Sequence, residues 1–224
     1  MFALRNDYRA LLIYADGLTP GPSTAHSEWL LDAAEASALD RLQGGIAAEE
    51  LPELAAWRDA YRTFGAKPQR TRPSVEALVR RVDSGLPRID RITDTYNAIS
   101  VQYLLPLGGE DAEKYVGAAR LVRADGTEPF DTFAEGNAVV EHPERGEVVW
   151  VDDAGVTCRR WNWRQSVRTR ISESTTRALF IIDGLLDATP QDTMIEAADA
   201  LKDALGKFNP EARFASRIIG PNPS

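Results

Sequence analysis

The sequence predicts an α/β protein of the α+β kind, on three observations. A short apolar run near the start (RALLIYA, residues 9–15) reads as a buried strand. Amphipathic stripes at helical spacing fill much of residues 24–105. From residue 116 the texture changes to short β-prone runs separated by turn residues.

Taken in order, the strand at 9–15 ends at Asp16-Gly17, and a loop with two prolines leads to Ser23 or Thr24 as a helix N-cap. Trp29, Leu30, Ala33, Ala34, Ser37 and Ala38 form the expected inward stripe of that helix, which stops at Gly44-Gly45. A second helix over 51–64 places Leu54, Trp57, Tyr61 and Phe64 on one side, with Gly65 as its left-handed cap. The basic connector AKPQRTRP (66–73) is expected to be extended, because its prolines disfavour helix. Ser74 then caps a third helix over 75–82, and Thr93 or Asp94 a fourth over 92–105. Leu107 to Asp111 reads as a break, Glu110-Asp111 as a solvated turn. Candidate strands follow at 116–123, 128–133, 147–151, 156–161 and 177–182, with Asp125-Gly126 and Ala154-Gly155 as turns. Thr189-Pro190 opens a last helix with Met194, Ile195, Ala198, Leu201 and Leu205 inward, and 209–224 is a tail.

At 224 residues the chain suits one domain with appended terminal elements. It shows neither a secretory leader pattern nor an apolar run of membrane-spanning length, so a cytoplasmic protein without a membrane partner is expected. One cysteine, Cys158, and two distant histidines offer no disulfide and no metal site, and no cofactor motif is present. A net charge of −8 argues against binding DNA or RNA by bulk charge. Two windows nevertheless collect ten of the 26 basic side chains, at 58, 62, 67, 70 and 72 and at 159, 160, 164, 168 and 170. The second contains RRWNWRQ (159–165). Its arginines suit phosphates, its indoles suit stacking, and its amides suit base or ester groups. The same run reads equally well as a strand whose tryptophans enter the core while the arginines pair with surplus acids.

The motifs YRTFGAKP (61–68), DTYNAIS (94–100), LLPLGGED (104–111) and RRWNWRQS (159–166), in that order, resemble the freestanding B3/B4 domain proteins. These are relatives of the tRNA-editing domain in the phenylalanyl-tRNA synthetase beta subunit. The resemblance implies a B3/B4-like fold with a mixed β-sheet flanked by helices. It also implies one domain over 1–224, with a core at about 55–185, a strand and helix at 9–45 and a helix at 190–207 packed on it. It implies trans-acting hydrolysis of mischarged aminoacyl-tRNA, or non-catalytic binding of tRNA or an amino acid on the same fold. Asn97, Asn162 and Gln165 would then be catalytic, with Ser100, Trp161, Trp163, Gly108 and Gly109 around the substrate. Lys67, Arg70, Arg72, Arg159, Arg160, Arg164 and Arg168 would meet tRNA phosphates. The synthetase domain's pocket histidine falls at Gly108, and its pocket glutamate has no evident counterpart.

Overall fold

A computed structural model describes residues 4–221. Its principal sheet runs in the order β10-β1-β9-β2 and joins β1 (Tyr8–Asp16), β2 (Leu107–Asp111), β9 (Arg177–Leu185) and β10 (Arg213–Ile219). A second sheet joins β3 (Arg120–Arg123), β6 (Val148–Val151), β7 (Val156–Arg159) and β8 (Arg164–Gln165), and a hairpin pairs β4 (Phe130–Ala134) with β5 (Asn137–Glu141). The α/β class with helices flanking sheet is present, and every ladder among the described residues is antiparallel.

The two faces of the principal sheet have different tasks. Leu11, Ile13, Leu107, Phe180 and Ile182 point to one side and are buried against Ile92 and Ile99 of α4 (Arg91–Tyr103) and Met194 and Leu201 of α5 (Gln191–Gly206). Strand alternation sends their neighbours the other way. The pairings Ala10↔Asp183, Leu12↔Ile181, Gly108↔Ile181 and Glu110↔Leu179 therefore set Gly108, Glu110, Ile181 and Asp183 on the opposite face. That face looks toward the second sheet and α2 (Pro52–Thr63), where Trp57, Tyr61, Trp150 and Trp161 form a separate core.

Helix α4 is buried from Ile92 to Val101 because it has a core on both sides. Its other flank carries Ala98 and Val101 against Leu31 and Ala34 of α1 (Ala25–Arg41) and Val75 and Val79 of α3 (Ser74–Val79). Asp90 caps it by accepting from the Ile92 and Thr93 amides at 2.9 and 2.8 Å, in place of the expected Thr93 or Asp94. Thr24 caps α1 as expected, but the inward stripe is Ser27, Leu31, Ala34 and Ala38, and Trp29 is 60% exposed. Pro73 and Pro190 hold the N-cap positions of α3 and α5, one residue away from Ser74 and one after Thr189.

Three expectations of irregular backbone give way to order. The break at 107–111 is strand β2, since Gly108 and Gly109 allow close approach on either face and β9 supplies the partner ladder. The tail is β10 from Arg213 to Ile219, an edge strand paired to β1. The connector 66–73 turns at Lys67, whose carbonyl accepts from the Arg70 and Thr71 amides at 2.9 and 3.0 Å. No described helix is long and apolar enough to cross a membrane.

Candidate active site

The RRWNWRQ run is not one strand. β7 stops at Arg159, and Arg160 and Trp161 both turn left-handed, with φ of 47° and 70°. Two bulky residues there cost roughly 1–3 kcal/mol each. The return is burial: Trp161 is fully enclosed, with its ring centroid 4.9 Å from that of Tyr8 and 5.4 Å from that of Trp57. Its amide donates to the Val148 carbonyl at 2.7 Å. The turn thereby sends Trp161 inward, while Trp163 stays half-buried at the surface of a pocket. Trp161 forms part of that pocket's wall from its enclosed position.

That pocket has a volume of about 290 Å3 and lies among the principal sheet, the second sheet, α3 and α4. Asn97 of α4, Gly108 of β2, and the consecutive Asn162, Trp163, Arg164 and Gln165 line it, so three separated stretches of sequence meet in one place. Asn97 is 8% exposed and its side chain makes no hydrogen bond among the described residues, leaving its amide to a ligand. Gln165 donates from Nε2 to the Gly109 carbonyl at 3.1 Å. Its other N–H and its Oε1 remain. A Cβ on residue 108 would stand 2.7 Å from that Nε2, so the missing side chain at Gly108 is what admits the Gln165 amide. Asn162 is more fully engaged: its Oδ1 accepts from the Tyr61 hydroxyl at 2.9 Å and its Nδ2 donates to Asp183 at 3.2 Å. It positions neighbours and has little left for a ligand.

Two carboxylic acids line the same pocket, each 2% exposed: Asp183, which the sequence did not single out, and Glu110, which with Asp111 was expected in a solvated turn and is instead buried in β2. Burial raises Glu110 from its ordinary range to about 7 against the opposing pull of the Tyr115 hydroxyl, Thr157 and Arg168. The Tyr115 hydroxyl donates to Glu110 Oε2. Burial likewise raises Asp183 to about 7, although Tyr8 donates to it at 2.6 Å and Asn162 at 3.2 Å. In the register Glu110 faces Leu179, four residues along β9 from Asp183, so the two acids stand roughly 13 Å apart along the sheet with Gly108 and Ile181 between them. Arg81, exposed and without an ion pair among the described residues, lines the pocket as well. Cys158 is a buried core residue at the pocket wall, and burial pushes its thiol well up, which disfavours the thiolate.

Other expected site residues are elsewhere. Ser100 is buried and donates to the Leu105 carbonyl at 2.6 Å, closing the end of α4. Gly109 faces Phe180 and Ile171, which a Cβ would press at 2.8 and 2.9 Å. Arg159 is a correction to the phosphate set: it is 6% exposed and holds Glu147 at 2.9 and 2.8 Å and Glu141 at 2.9 Å. Arg168 is another, since it grips both oxygens of Asp152 at 2.9 and 2.7 Å. Burial alone would raise Asp152, but Arg168 and the amides of Val116 and Ala154 hold it below its usual range. Arg72 lies 3.6 Å from buried Glu76. Arg164 donates to the Phe133 carbonyl at 3.1 Å and faces the Trp163 ring. Lys67, Arg70 and Arg160 line a different cavity. The described residues contain no cluster of three or more His, Cys, Asp or Glu able to hold a metal.

The family model of the B3/4 domain matches residues 56–195. No curated protein matches the sequence significantly. Among solved structures, an N-terminal fragment of the phenylalanyl-tRNA synthetase beta-subunit from Pyrococcus horikoshii is similar with a TM-score of 0.43 at 10% identity, over 96% of this chain and 50% of that one. The chain thus spans about half the length of that fragment.

Proposed function

The chain belongs to the B3/4 domain family, and from that premise we propose that its pocket hydrolyses the ester of a mischarged aminoacyl-tRNA, acting in trans on a cytosolic tRNA. The observation that carries the reading is the meeting of Asn97 and Gln165 with buried Glu110 around one cavity of about 290 Å3. Ester hydrolysis needs a base for water, donors for the oxyanion and a return of the proton to the leaving group.

Glu110, near neutrality half ionised, takes a proton from water as the oxygen attacks the ester carbonyl. The free amide N–H groups of Asn97 and Gln165 receive the negative charge that forms on the carbonyl oxygen. Collapse expels the ribose oxygen, which recovers the proton from Glu110. Asn162 and Asp183, tied to Tyr61 and Tyr8, hold the far wall of the pocket in place. Arg81 at the surface offers a cation to the terminal nucleotides.

Release of amino acid from a panel of mischarged tRNAs tests the reading. Turnover on at least one member is expected, and none on any member with the protein folded would overturn it. A second reading, binding of tRNA or an amino acid without chemistry, is favoured by one observation: both amide ends of Asn162 and one N–H of Gln165 are already used internally. Ligand-dependent stabilisation with no hydrolysis would select it.

A further inference from the structure

Three loops meet beside the pocket without belonging to it. The turn at Lys67–Thr71 after α2, residues 144–147 before β6, and Arg160 of the β7-β8 turn line a second cavity of about 250 Å3. Its walls carry four cations, Lys67, Arg70, Arg145 and Arg160, and two acids, Glu144 and Glu147. Glu147 is buried and already answered by Arg159 and by the Arg160 amide at 3.2 Å, while the Arg160 side chain reaches it only at 3.6 Å. Lys67, Arg70 and Arg145 are all exposed and make no ion pair among the described residues.

Acids outnumber bases 34 to 26 in this chain, so three cations without an ion pair around one cavity, of which Arg145 feels only the more distant Asp125, are not a shortage of partners. Like charges held close oppose one another, and an entering anion relieves that repulsion. A carboxylate is satisfied by one guanidinium in a bidentate pair. Four cations suit a group with more charge and more acceptor oxygens. We propose that this cavity is a phosphate seat, taking phosphate or two adjacent phosphates through Lys67, Arg70, Arg145 and Arg160. Arg160 joins it to the neighbouring pocket, because its guanidinium lies 4.5 Å from the Trp163 ring centroid and Trp163 lines that pocket. The seat stands whether or not the pocket hydrolyses anything.

Thermal melts with inorganic phosphate and pyrophosphate, at constant ionic strength with chloride as the reference, test it. A saturable rise in Tm is expected, greater for pyrophosphate. Lys67→Gln and Arg145→Gln, both exposed positions, should each weaken binding about tenfold through loss of a charged hydrogen bond. Glu144→Gln, which removes an opposing charge from the rim, should strengthen it. A tRNA arm separates the sources of phosphate. Competition with pyrophosphate, and a salt slope lowered by about one in each cation variant, assigns the seat to RNA phosphates. Pyrophosphate binding without tRNA competition assigns it to a free phosphate compound. No saturable rise, or a rise undiminished in both cation variants, overturns the proposal.

Discussion

Asp183→Asn gives the most direct reading of the pocket's electrostatics. Asp183 is 2% exposed, and burial raises its carboxyl from 3.8 to about 7. Between those values the folded chain keeps a proton that the unfolded chain has released. The contribution of Asp183 to stability therefore falls as pH rises from about 4 to 7, and is constant on either side of that window. A shift of this size corresponds to about 4 kcal/mol, accumulated at up to about 1.4 kcal/mol per pH unit. Glu110, raised to about 7, titrates over nearly the same window with the same sign. The Asn side chain has the same shape and cannot ionise. It still accepts from Tyr8, but its amide meets the Asn162 Nδ2 donor. Asn162 can turn over and donate to Tyr61 instead, at a cost of about 1 kcal/mol. The variant should gain roughly 2–3 kcal/mol over wild type at pH 8 and lose about half of the pH slope between 5 and 7. Urea unfolding at pH 5, 6, 7 and 8 measures both. Parallel curves for the two proteins, or a variant weaker at pH 8, would show Asp183 ionised and stabilised by Tyr8 and Asn162, contrary to this reasoning.

The remaining predictions concern the pocket and its supports. Glu110→Gln should lower deacylation by about a hundredfold or more and remove the rate's rise through neutral pH, with the folded state no less stable at pH 8. Gly108→Ala should displace the Gln165 amide, cutting turnover at least about tenfold for less than ~1 kcal/mol of stability, because the atom it meets is the end of a flexible side chain. Gly109→Ala should do the reverse, overpacking Phe180 and Ile171 for about 1–3 kcal/mol while activity per folded molecule is kept, as melts and active-site titration would report. Arg159→Ala leaves Glu147 buried without its main partner and should cost about 3–5 kcal/mol, with no change in tRNA salt slope once the fraction folded is accounted for.

Much of this arrangement is legible in the sequence where one face of an element is plainly apolar. The strand at 9–15, Leu54, Trp57 and Tyr61 of α2, and the β-rich half after residue 116 follow from periodicity alone. Periodicity fails where both faces are covered. α4, expected as a helix over 92–105 and present at Arg91–Tyr103, is buried all round between two cores, so its periodicity does not say which face meets which core, and β2, with its two glycines, shows no alternation at all. The RRWNWRQ run misleads in a different way, since spacing of two suggests a strand until Arg160 and Trp161 turn left-handed and separate the two indoles. The arginines of this run, and Arg168 just beyond it, divide between the two readings that composition left open: Arg159 and Arg168 pair with acids, whereas Arg160 and Arg164 lie along the two cavities. Of the pocket, Asn97, Asn162 and Gln165 were legible through motif resemblance. Asp183 and Glu110 had a quieter signal, an acid inside the apolar run ALFIIDGLL and another directly after Gly-Gly. Each becomes meaningful only when the ladder of β9 with β2 puts them on the face opposite the helices.

Single-turnover release of amino acid from mischarged tRNA by wild type and Glu110→Gln, followed from pH 5 to 9, bears most directly on the claim that this pocket is a deacylase. The account expects a wild-type rate that rises to a plateau with a midpoint near 7, and a variant that is slow and flat across the range. Equal rates and equal pH profiles for the two proteins would contradict it.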